Sequence, residues 1–325
     1  MNNPPTDGSQ VAAEDLRTLV AGIFARVPIP ENHARLIAEL LVDTDLRGVI
    51  SHGVLQVDRY VRSYQEGKTN THPEVRVLQE GPVTAALSGD GGLGMIVGST
   101  AMRMAVDKAR ELGVGIATST YNDHIGSAGK YVRMALRQNM IGICFSGRNA
   151  APTYDPESTI RGSIQGSPPL AFGMPSGPDH PPFMLDMSSG LSISEEHFET
   201  MPQIFFKSIG ISHVGNIMSG TLGGQMLPEF ERDKIQYTNA NQSGFYMALD
   251  IERFVPLPAF QGDMDHLMDE VSKMKPFPGY TASDLPGGPE WKREKEYARN
   301  GVPITAEAAK TLEVLAGEFD LSVPW

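Results

Sequence analysis

Two short stretches hold side chains that could bind an acid and move a proton. In Asp45-Leu46-Arg47-Gly48-Val49-Ile50-Ser51-His52-Gly53, an arginine stands five residues before a histidine, and a serine directly before it. In Asn122-Asp123-His124-Ile125-Gly126-Ser127-Ala128-Gly129, a histidine precedes a run of small residues. Arg47 carries a planar fork suited to a carboxylate. His52 and His124 can exchange a proton near neutral pH, and Ser51 can hold an imidazole ring or a substrate oxygen. An anion clamp beside a proton carrier is what chemistry on a 2-oxo or 2-hydroxy acid requires. The plainer reading is that Arg47 ends a helix favourably and both histidines satisfy turns.

The surrounding pattern supplies elements to place these groups. Leu16, Leu19, Val20, Ile23 and Phe24 recur at helical spacing and predict a first helix from Val11, behind a polar, frayed start. Residues 31–46 and 55–64 read as two more helices, with Gly48 and Gly53 marking the turn that carries Ser51 and His52. From 72 to 87 the period changes to that of strands. Helix 95–111, strand 113–118, helix 128–137 and strand 141–146 then alternate, which favours an α/β sheet with His124 just beyond a strand end. Residues 150–182 read as loops, 183–187 as a strand ending near Asp186, and 244–249 as a further strand. The stretch 190–230 follows no clean period. Segments 263–275, 291–300 and 306–318 read as helices. The expected fold is an α/β sheet domain with helical ends that pack together, since neither end alone has enough apolar faces for a core. Its parts are 1–72, a central sheet at 73–255, and 256–325 returning to the N-terminal helices.

Composition narrows the class. The 325 residues are 40% hydrophobic with a formal charge of −12, which argues against a nucleic-acid surface. The single cysteine, Cys144, lies in an apolar run and reads as a buried strand thiol. No His-Glu-x-x-His or other metal-ligand spacing occurs, so no metal is expected. The beginning of the chain has no secretory pattern and no stretch is long enough to span a bilayer, so the cytoplasm is the expected location. The glycines of Gly89-Asp90-Gly91-Gly92-Leu93-Gly94 do not fit a dinucleotide fingerprint and read as a tight turn entering a helix.

DLRGVISHGVLQVDRY resembles the signature of the type 2 malate/L-lactate dehydrogenase family. The similarity continues through GGLGMIVGSTAMRMAVDKARELGVGIATSTYNDHIGSAGKY, SPPLAFGMPSG, PPFMLDMSS and LPGGPEWKREKEYARNGVPI. It implies an NAD- or NADP-dependent oxidoreductase with a non-Rossmann sheet, acting on a small 2-hydroxy or 2-oxo acid or a cyclic imino acid. It also implies a homodimer with the active site near the subunit boundary. His124 becomes the leading catalytic histidine, although Ile125 stands where an aromatic residue is common. Arg47 would hold the substrate carboxylate, and Ser51, His52 and His124 would serve the proton. Ser146, Asp186, Met187, Ser188, Lys207 and the Gly287-Gly288-Pro289 turn map to the cofactor surface.

The departures from the family pattern fall on that surface. The segment from Asp186 to Lys207 is shorter than the family's, Phe206, Ser208 and Ile209 replace its usual residues, Pro168-Pro169 replaces an asparagine–proline pair, and Gly288 replaces a glutamate. The alternative is therefore a relative that no longer transfers hydride. It would act as a cofactor-free lyase, isomerase or hydratase, or bind an acid ligand, using Arg47, His52 and His124 alone.

Overall fold

The computed structural model describes residue 5 and residues 7–148, 154–164, 166–192, 194–224, 227–230 and 236–325. In chain order the elements are β1 (Ser9–Val11), α1 (Ala13–Phe24), α2 (Glu31–Asp45), α3 (Val57–Gln65), β2 (Arg76–Glu80), β3 (Thr84–Ser88), α4 (Gly94–Leu112), β4 (Val114–Asn122), α5 (Gly129–Leu136) and β5 (Met140–Arg148). Then come β6 (Pro169–Met174), β7 (Phe183–Ser188), α6 (Glu195–Thr200), α7 (Pro202–Asn216), β8 (Gln242–Asp250), α8 (Leu257–Ser272), α9 (Gly288–Asn300), β9 (Val302–Ile304) and α10 (Ala306–Glu318).

The apolar stripes of α1, α2 and α3 cannot be covered by one another alone, and the end of the chain returns to cover them. Leu16, Ile23, Leu41 and Val61 share one buried cluster with Leu312 and Leu315 of α10. Each such side chain contributes roughly 1.5–3 kcal/mol by leaving water. β1 pairs antiparallel with β9, placing Val11 opposite Val302. Val11 therefore belongs to a strand where its spacing predicts helix, because pairing with β9 satisfies its backbone.

Seven strands form the central sheet in the order β2-β3-β4-β8-β5-β6-β7. Only β3 and β4 run parallel. Helices α4 and α5 cover one face through small residues such as Ala101, Ala105 and Ala135. The approach is close enough that a Cβ on Gly115 of β4 would lie 1.9 Å from the Ala105 carbonyl oxygen. The other face carries Phe145, Leu170 and Phe245, with Ile211 of α7 against them.

Two regions differ from the sequence expectation. α8 starts at Leu257 with proline in its first turn. Its Gln261 and Asp265 bond to Ser176 and Gly177, beside β6 and β7, whereas α9, β9 and α10 return to the N-terminal helices. The stretch without a clean period forms α6 and α7, followed by a π-helical turn at Ile217–Thr221. Ile204, Phe206 and Val214 of α7 are exposed while Phe205 and Ile209 are buried, so apolar residues ring the helix and leave no stripe to read.

Candidate active site

The turn after α2 is built on a buried carboxylate. Asp45 accepts a hydrogen bond from the Val54 N–H at 2.7 Å. A Cβ on Gly53 would come within 2.0 Å of Asp45 Oδ1, so only glycine lets the chain pass there. Burial pushes Asp45 up to about 8, against the Val54 N–H and Lys130, which both favour its charge. The turn presents Ser51, whose Oγ lies 2.9 Å from His52 Nδ1. α3 then carries Arg59 and Tyr60.

β4 delivers the second histidine. Asp123 accepts from the His124 N–H at 2.6 Å and from Thr69 Oγ1 at 2.8 Å. The Tyr60 hydroxyl sits 2.7 Å from His124 Nδ1, leaving Nε2 for other partners. The His52 and His124 ring centroids are 5.8 Å apart. Burial, then Arg59, His52 and Lys130, lower His124 to about 3. Burial, then Lys130 and Arg59, lower His52. Both rings are therefore neutral at pH 7.

The two histidines line one cavity of about 1000 Å³, at the upper end of ligand pockets. The same cavity is lined from β5, β7 and the turn before α9 by Ser146, Asp186, Met187, Ser188, Gly287 and Pro289. Ser146 Oγ donates to the Ser243 carbonyl at 2.8 Å, and Ser188 Oγ lies 2.6 Å from Ser167 Oγ. Asp186 accepts the Gly129 N–H at 3.0 Å and remains open to the cavity. Gly287 has φ +97°, and a Cβ there would approach the Pro182 carbonyl oxygen to 2.6 Å. Gly288 is buried beneath this wall. Lys207 is exposed on α7 and does not line the cavity.

Arg47 also reaches the cavity, but its fork is occupied. Nη1 lies 2.7 Å from Asp43 Oδ1 and Nη2 lies 2.7 Å from Glu294 Oε1. Asp43 also pairs with Arg133 at 3.2 Å. Burial alone would raise the Asp43 carboxyl, but Arg133 and Arg47 hold it well below the usual range. Arg47 thus ties α2 to α9 in this structure.

The profile of the malate/L-lactate dehydrogenase family matches residues 11–195 and 195–313. The chain belongs to that family. Malate dehydrogenase of Pyrococcus abyssi is 29% identical over 94% of each chain. L-sulfolactate dehydrogenase of Methanocaldococcus jannaschii is 25% identical over 95% of this chain and 97% of its own. The solved malate dehydrogenase of Pyrococcus horikoshii superposes with a TM-score of 0.84 at 28% identity, covering 99% of each chain. The glycine run at 89–94 is the tight turn into α4 and lies outside the cavity lining. Cys144 is buried in β5. Among the described residues no group of three or more His, Cys, Asp or Glu could hold a metal ion, and no helix is long and apolar enough to cross a membrane.

Three groups at this family member's site escape a reading by residue type. Tyr60 and Arg59 fall inside the DLRGVISHGVLQVDRY stretch, and their only signal is their place on the helix that comes after His52. Lys130 lies in the first turn of α5, is 1% exposed, and among the described residues its amine has one hydrogen-bond contact, Met95 Sδ at 3.6 Å. Burial and then Arg133 bring it down to about 7, opposed by Asp43, Asp186 and Asp45. A lysine on the apolar face of a short helix was the available signal.

Proposed function

We propose that the protein is an NAD- or NADP-dependent oxidoreductase acting on a small 2-hydroxy or 2-oxo acid, or on a cyclic imino acid. The observation that carries this reading is that the pair of neutral histidines shares one cavity with Ser146, Asp186, Ser188 and the Gly287 turn. A second sign supports a bound nucleotide: Ser127 lines the cavity, and its buried Oγ has no partner among the described residues, a donor that a ligand could satisfy. Ser146, Asp186, Ser188, the backbone near Met187, and the Gly287–Pro289 turn would hold the nucleotide. When bound, it would accept the hydride that leaves the substrate carbon during oxidation, or supply it during reduction.

The chain's own groups handle the proton. In oxidation His124 takes the hydroxyl proton through Nε2, as its neutral form allows. In reduction the protonated ring would return that proton from the same atom to the developing alkoxide and end neutral. Tyr60 fixes the ring through Nδ1, and Ser51 holds His52 as a second carrier. The relatives' names, malate and sulfolactate dehydrogenase, support a small anionic hydroxy acid. The cofactor-free alternative draws on the shortened segment from Asp186 to Lys207, the replacements at Phe206, Ser208 and Ile209, Pro168-Pro169 and Gly288, and would use Arg47, His52 and His124 alone.

One titration separates the two readings. NADH and NADPH are added to the purified protein while nucleotide fluorescence is followed, and turnover of L-malate is then measured. Binding of one nucleotide with hydride transfer is the expected result. Binding of neither, with an acid ligand still bound, would establish the cofactor-free reading instead. We further propose a homodimer. Phe198, Met201, Ile204 and Phe206 are exposed around α6 and α7, with Phe198 and Phe206 ring centroids 6.0 Å apart, and such contiguous apolar surface marks an interaction site.

A further inference from the structure

We propose that Arg59, and not Arg47, receives the substrate carboxylate, making Arg59 the residue that selects acids at this site. The proposal rests on the oxidoreductase reading only for the hydride step, and carboxylate binding can be tested by itself.

Among the described residues four arginines line the cavity: Arg47, Arg59, Arg133 and Arg148. A carboxylate clamp needs free donors, an opening to the cavity, and proximity to the histidine that exchanges the hydroxyl proton. Arg47 meets none of these well. It is buried, with both terminal nitrogens on carboxylates at 2.7 Å. Arg133 is 10% exposed at its side chain and bonds Asp43 through Nε at 3.3 Å and Nη2 at 3.2 Å. Arg148 stands at the end of β5, beside Ser146 and Gly166 on the nucleotide wall, and its charge does not figure at either histidine.

Arg59 differs on each count. It is exposed, lines the cavity, and among the described residues makes no ion pair. Its one side-chain hydrogen bond is a long 3.4 Å contact to Gln56 Oε1. It neighbours Tyr60, the residue bonded to His124, with Cζ 5.8 Å from the Tyr60 ring centroid. Its charge is felt at both His52 and His124. An acid paired with Arg59 would offset that charge, so substrate binding itself would make His124 a better proton acceptor. A 2-hydroxy acid with its carboxylate on Arg59 would bring its adjacent hydroxyl to the histidine pair.

The test measures oxalate and L-malate binding by calorimetry to the wild type, R59A and R59K. NADH and NADPH titrations run in parallel. R59A should weaken oxalate about 100-fold, the loss expected for a bidentate charged pair, and R59K should recover part of it. Thermal unfolding should be unchanged, since Arg59 contributes no ion pair to the fold. Oxalate binding to R59A within about threefold of wild type would overturn the proposal, as would a wild type that binds no carboxylate. If oxalate binding depends on Arg59 but neither nucleotide binds, the Arg59 assignment stands and the hydride-transfer reading falls. If malate is turned over with either nucleotide and R59A behaves as wild type, the outcome is reversed.

Discussion

At the scale of residues, Tyr60 sits on His124 Nδ1, so under the proposed function Nε2 would be the nitrogen that exchanges the proton. His124→Asn should lower kcat about 10²–10⁴-fold, the usual worth of a general acid–base group, with nucleotide affinity retained. Tyr60→Phe should lower kcat about tenfold by freeing the ring, again without changing nucleotide affinity. Because burial and neighbouring cations hold His124 to about 3, kcat/KM for oxidation should stay level from pH 8 down to about 5. A midpoint near that of a free histidine would remove His124 as the base. Lys130 is open to a stability test. Its folded pKa of about 7 lies below the unfolded value of 10.5, so the unfolded chain binds the extra proton between them. The cost of burying Lys130 is therefore fully present below pH 7 and fades as pH rises from 7 toward 10.5. Lys130→Met should stabilise by about 1–4 kcal/mol at pH 6 and by less at pH 9. Equal gains at both pH values in urea unfolding would show that the amine keeps its charge in the fold and that burial does not lower its pKa.

At the scale of elements, the turn between α2 and α3 depends on Asp45 and Gly53 together. Asp45→Ala should orphan the Val54 N–H and cost about 1–3 kcal/mol. Asp45→Asn keeps an acceptor oxygen and should cost less at pH 7, where the wild-type carboxyl, raised to about 8, already carries its proton. Gly53→Ala places a methyl against the Asp45 carboxylate and should cost about 1–3 kcal/mol while displacing His52. Chemical denaturation gives the energies, and loss of oxalate affinity alongside would show that the turn positions the site.

At the scale of the whole molecule, both ends of the chain meet behind the site. Arg62 on α3 bonds Glu318 of α10 at 2.6 Å, and Arg47 reaches Glu294 of α9. The first histidine is thus braced by residues more than two hundred positions later. The exposed aromatic group on α6 and α7 gives the test of assembly. Phe206→Glu should shift sedimentation from dimer to monomer, and a wild type that sediments only as monomer would remove that surface as the interface.

Much of this was legible along the chain because it depends on local spacing. The stripe from Leu16 to Phe24 reads as helix wherever it folds. Gly113 to Thr118 reads as a buried strand, and the ordered motifs around His52, His124 and Asp186 name a family and a shared cavity. What the sequence could not hold is pairing between distant side chains. Arg47 looks like a free clamp until Asp43 and Glu294 take its two terminal nitrogens, and Arg59 looks like a surface arginine until the fold opens it onto the histidines. Lys207 occupies a familiar position yet is exposed and does not line the cavity, and Lys130 lies buried in α5. Spacing sets which face a side chain occupies, whereas the partners of a charge are set by elements that only folding brings within a few ångströms, and at that distance partners decide whether a cation binds substrate or holds the protein together.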